Sequence, residues 1–243
     1  MKEIAIKKTG LNWWSDRAWI GFSCLLTAVM VITILAKWES WPDSLKVIGA
    51  TGALVPIHVL EEWIFPGGFH YQYNILQKSD CLDRYPMCRA SDMITNLGVT
   101  VFFMVMTYSF AAYGKVPAGF IIATLLFCVF EVVSHTVAGI KMHKRFKIAG
   151  KTTIYGPGLI TAYDGFLVLA VLACYSLKRM RVTGVDVLIG IALMLLSVVV
   201  FIVIPENLLK SKKAPITLSQ QAITSVSLAS DIFRFRQALG SSE

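Results

Sequence analysis

Six long apolar stretches restrict what this chain can fold into more than any other feature. Residues 18–36, 47–65, 93–114, 116–140, 157–177 and 187–204 each hold enough near-consecutive apolar residues to cross a hydrocarbon layer about 30 Å thick. Inside that layer no water satisfies the backbone, so a crossing segment must bond internally as a helix. The expectation is an all-α, polytopic membrane bundle of about six transmembrane helices over residues 1–205, followed by a polar tail, 206–243. Composition agrees: 16% of the 243 residues are charged and 56% are hydrophobic, against about 25% charged in a soluble domain. Lys2, Lys7, Lys8 and Arg17 precede the first run as they would in a signal peptide. That run is too long for a signal peptide and no small-residue cleavage site follows, so a retained anchor is expected. In the tail, Ile223, Val226, Ile232, Phe233, Phe235 and Leu239 recur at loose helical spacing and suggest an interfacial helix.

A net charge of +8 would fit nucleic acid, but the basic residues lie between the apolar runs and form no stripe. No nucleic-acid partner is expected; membrane lipids are. With the N-terminus inside, 17 of the 23 Lys and Arg residues fall on the inner side. The positive-inside rule then places both termini in the cytoplasm. The triplet Lys178, Arg179 and Arg181 dissents. Five cysteines without metal-box spacing read as free thiols.

Within this apolar frame the ionisable residues stand out. The segment 57–69, IHVLEEWIFPGGF, puts His58, Glu61 and Glu62 at the end of the second run. Residues three and four apart share a helix face, so the three form a polar fork. Each prong costs roughly 2.5–3.5 kcal/mol in a membrane unless it finds a partner. Glu131 and His135, again one turn apart, lie near the end of the fourth run. Helices two and four run the same way, and helices three and five run oppositely. Asp92, Asn96 and Asp164, near the starts of helices three and five, therefore share one leaflet with the fork. Asp92 is expected to cap its helix.

Two imidazoles and several carboxylates projecting from neighbouring helices form the ligand vocabulary of metal sites in helical bundles. Zinc or non-haem iron suits such donors. His58, Glu62, Glu131 and His135 are the candidate ligands, with Glu61 as general base or bridging carboxylate. Asn96 and Asp164 are candidates to orient a ligand, and His70 and His143 are candidate additional ligands. Pro56 should kink the second helix. The stretch 153–162, TIYGPGLITA, reads as a tight turn into helix five, and Tyr155, Gly156 and Gly158 are candidates to receive a lipid head group there.

His58-Val59-Leu60-Glu61-Glu62, then Glu131 with His135, then Tyr155-Gly156-Pro157-Gly158, resembles the HXXEE family of membrane proteins in both residues and order. The resemblance implies that these residues belong together and implies no reaction. Other families are excluded. Four histidines cannot supply the boxes of membrane desaturases, and there is no His-Glu-x-x-His motif. Pro66 stands where a Glu-Glu-x-x-x-Arg protease needs arginine, and no Gly-x-Ser-x-Gly elbow occurs. The first functional expectation is a metal-dependent membrane enzyme that hydrolyses or oxidises a lipid or other apolar substrate. The alternatives are a proton-coupled carrier using the same carboxylates, and a structural membrane subunit.

Overall fold

A computed structural model describes residues 14–213. The first apolar run is helical from Trp19 onward, whereas the expected tail helix lies outside the described residues. Among the described residues the protein is all helical. Six helices are long and apolar enough to cross a membrane: α1 (Trp19–Ala36), α2 (Asp43–Trp63), α4 (Arg89–Tyr113), α5 (Ala118–Phe146), α6 (Leu159–Lys178) and α7 (Gly184–Leu209). A seventh, short helix, α3 (Phe69–Leu76), lies in the connection between the second and third apolar runs. Asn74 on α3 explains why that connection is ordered. Fully buried, it donates to the carbonyls of Leu82 (2.9 Å) and Met87 (3.1 Å) and accepts from the Met87 amide (2.9 Å).

Helix α2 packs against α1 on one side and α4 on the other, while α5 packs against α6 and α7. Small residues permit the closest approaches. A β-carbon at Gly52 would stand 2.6 Å from Cβ of Phe103 on α4, and one at Gly190 would stand 2.5 Å from Ile122 on α5. Such contacts matter in a bilayer, where close packing drives helix association. The core joins Val55, Phe103, Ile121, Cys128 and Phe166. Helix α7 buries only Gly190 and Pro205 and turns Leu188, Leu195 and Leu196 outward, as a lipid-facing helix should.

Three boundaries differ from the sequence expectation. Helix α5 continues through Lys141 to Phe146, absorbing the start of the basic loop and His143. Helix α7 passes through Pro205 instead of stopping there. A π turn over Val199–Val203 widens α7 ahead of the proline, and the Thr95 hydroxyl on α4 supplies the Phe201 carbonyl with a bond of 2.5 Å. Proline lacks the N–H that would otherwise reach that carbonyl. At the start of α4 the capping residue is Cys88, in a reciprocal box with Ser91; Asp92 lies one turn inside the helix. All five cysteines are free.

Candidate functional site

The expected neighbours meet. His58 and Glu62, one turn apart on α2, face Glu131 and His135, one turn apart on α5. The two imidazole Nε2 atoms are 3.1 Å apart. Glu62 Oε1 lies 3.4 Å from each of them. Glu131 Oε2 lies 3.7 Å from His58 and 3.6 Å from His135. His58, Glu62 and His135 are 4%, 3% and 3% exposed, so bulk water does little to screen these charges.

The distal ring nitrogens decide the protonation pattern. His135 Nδ1 is 3.0 Å from the carbonyl of Pro157, which can only accept, so that nitrogen carries the hydrogen. His58 Nδ1 is 2.6 Å from the Thr161 hydroxyl. That hydroxyl donates to Glu61 Oε2 at 2.7 Å, so it must accept from His58. With both rings neutral, the two Nε2 atoms present lone pairs to each other, beside two carboxylate oxygens.

The turn before α6 builds this arrangement. Gly158 has φ +88°, and a β-carbon on it would fall 2.3 Å from Cε1 of His135 and 2.8 Å from Cε1 of His58. Only glycine lets the backbone lie against both rings and aim the Pro157 carbonyl at one of them. Gly139 on α5 serves the same approach, since its β-carbon would stand 2.1 Å from the Ile154 carbonyl oxygen.

Glu61 departs from its expected role. Its carboxylate accepts from the Tyr155 hydroxyl (3.1 Å), the amides of Ile160 (3.1 Å) and Thr161 (2.8 Å), and the Thr161 hydroxyl. With its oxygens so occupied it anchors α6 and orients Thr161. The helix start expected to receive a lipid head group is thus filled by the protein's own carboxylate. Tyr155 binds that carboxylate, Gly156 makes room for Gln72, and Gly158 floors the imidazoles. Burial, reinforced by Glu61, holds the Tyr155 phenol above the ordinary tyrosine range.

Other expected residues lie apart from the cluster. His70 on α3 is fully buried and stacks on Trp63, with ring centroids 5.1 Å apart. His143 lies two turns beyond His135 on α5 and adds no ligand. Asp164 is exposed. A π turn over Ala162–Leu167 brings Thr161 and Phe166, five residues apart, to the same imidazole and turns Asp164 away. Asn96 lines the neighbouring cavity beside Asp92. Thr161 and the Pro157 carbonyl were not singled out from the sequence. The only trace of them is the position of that threonine in the first turn after Gly-Pro-Gly.

The family model of a protein of unknown function with HXXEE motif matches residues 50–175, from α2 into α6. The chain belongs to the HXXEE family. No match was found among curated proteins or among solved structures. The spacing of the HXXEE motif now has a physical reading. Its histidine and second glutamate share one face and meet α5, while its first glutamate, a third of a turn round, meets the start of α6.

Chemically, the buried group His58, Glu62 and His135 could hold a metal ion, each offering a ligand atom within 4.8 Å of the others. Bonds of about 2.0–2.2 Å in a tetrahedral site would put ligand atoms about 3.3–3.6 Å apart, close to the 3.1 and 3.4 Å found. Beside the group lies a cavity of about 720 Å³, walled by Phe102, Phe103, Phe120, Phe127 and Phe201 from α4, α5 and α7.

Proposed function

We propose that this protein is a metal-dependent membrane enzyme acting on a lipid or other apolar molecule. The supporting observation is the pair of imidazole Nε2 atoms 3.1 Å apart, with both Nδ1 atoms hydrogen-bonded elsewhere and two carboxylates alongside. Between neutral rings such acceptors cannot satisfy one another, so a bound cation would complete the group, and imidazole with carboxylate suits zinc or iron. A single divalent ion there would supply Lewis-acid polarisation and activation of water, which favours hydrolysis over two-iron oxidation.

The chain's own residues do the rest. Thr161 and Pro157 fix the imidazoles so that both lone pairs converge, as hydrogen-bonded partners of ligand histidines do. Glu131, whose side chain is 15% exposed against 4% for Glu62, is the carboxylate better placed to accept a proton from the cavity side. The phenylalanine walls take the apolar body of the substrate and keep bulk water out.

Elemental analysis of the purified protein is the test. About one zinc or iron per chain is expected, lost in Glu62→Gln and in His135→Ala. A second reading puts a shared proton between the two imidazoles, and the 3.1 Å separation, a hydrogen-bond distance, favours it. That reading makes the site an acid–base centre or the core of a proton-coupled carrier. Metal-free protein with pH-dependent isomerase or uptake activity would replace the first reading with the second.

A further inference from the structure

Asp92 lies on α4 beside the same cavity, only 2% exposed, and its Oδ2 atom has no hydrogen-bond partner. Trp63 and Asn96 approach the carboxyl and lend it partial support, but neither completes a bond to that oxygen. Gln72 on α3 lines the same cavity, 5% exposed, and its Nε2 also lacks a partner. Its Oε1 is turned toward Gly156. Leaving one such atom unsatisfied costs about 1–3 kcal/mol, and more for a charged group. Two residues that line the cavity thus carry unmet polar atoms, an acceptor on Asp92 and a donor on Gln72, and phenylalanines form its walls.

We propose that the cavity binds an uncharged lipid bearing a hydroxyl group, the hydroxyl donating to Asp92 and the apolar body lying among the phenylalanines. A hydroxyl can donate to Asp92 and still accept from a second group. Head groups carrying phosphate or carboxylate fit poorly. Asp92, Glu62, Glu131 and Glu206 line the cavity, and among its described lining residues Lys141 is the sole lysine or arginine. This substrate class rests on the reading of the site as one that handles apolar molecules; it does not require the metal.

Binding to full-length protein in neutral detergent tests the proposal, with hexadecanol, its methyl ether and hexadecanoic acid as probes and metal content measured on the same samples. Hexadecanol should bind at least about tenfold more tightly than either relative, since neither the ether nor the carboxylate has a hydrogen to donate to the unpaired Asp92 oxygen and a buried acceptor left unpaired is costly. Asp92→Ala should erase the preference of alcohol over ether while leaving ether binding and metal content unchanged. Equal binding of alcohol and ether to the unaltered protein, or tighter binding of the acid, overturns the proposal even if the variant fails to fold. Loss of metal in Glu62→Gln with the alcohol preference intact separates the two readings. Absence of metal from every sample removes the metal reading and leaves this one standing.

Discussion

Gly158 shows how much of the site depends on the absence of one methyl group. Its positive φ disfavours any side chain, and a β-carbon would collide with both imidazoles. Gly158→Ala should therefore abolish metal binding and lower the unfolding temperature in detergent. Thr161→Val keeps the shape but removes the group that accepts from His58 and donates to Glu61. Metal affinity should fall about 10–100-fold while the fold survives, as titration against a chelator would show. His70 makes a prediction about pH. Burial pushes its pKa down to about 3 from the ordinary 6.5, so below pH 6.5 the unfolded chain binds a proton that the folded chain refuses. The stability contributed by His70 is complete above pH 6.5 and is lost as pH falls toward 3, by up to about 1.4 kcal/mol per unit. His70→Phe should flatten that part of the curve of unfolding temperature against pH.

The helices are held by features that act along their length. The proline in α7 passes because the π turn over Val199–Val203 and the Thr95 hydroxyl together serve the backbone it disrupts. Thr95→Val should cost about 1 kcal/mol and loosen the attachment of α7 to α4, visible as faster hydrogen exchange near Phe201. Gly52→Ala would press on Phe103, and overpacking of that kind costs about 1–3 kcal/mol. The π turn over Ala162–Leu167 has a different effect, since it changes which residues share a face. In a regular α-helix Thr161 and Asp164, three residues apart, would lie together on one face. In the π turn Phe166 takes that place, and nothing in the local residues announces the change.

For the whole molecule, α2, α5 and the start of α6 enclose one polar centre at one end of an apolar bundle, and the cavity extends from it between α4, α5 and α7. Filling the cavity should separate binding from ion chemistry: Ala123→Phe is expected to block hexadecanol while metal stoichiometry stays unchanged. The charge asymmetry makes a topological prediction as well. A single cysteine introduced at Lys147 should react with an impermeant thiol reagent only when the cytoplasmic face is open to it.

The sequence alone determined the number of spans, their alternation and therefore the shared depth of the ionisable residues, because length and apolarity leave a membrane segment a single solution. It also paired His58 with Glu62 and Glu131 with His135, since one helical turn separates each pair. Only the tertiary structure decided which groups each side chain meets. Glu61 reaches α6 instead of the paired histidines, Asp92 lies buried inside α4 instead of capping it, and Thr161 and a proline carbonyl set the two imidazoles. Those outcomes depend on rotations of helices about their axes and on a glycine-lined turn about a hundred residues away in the chain, and periodicity within one segment carries no record of either.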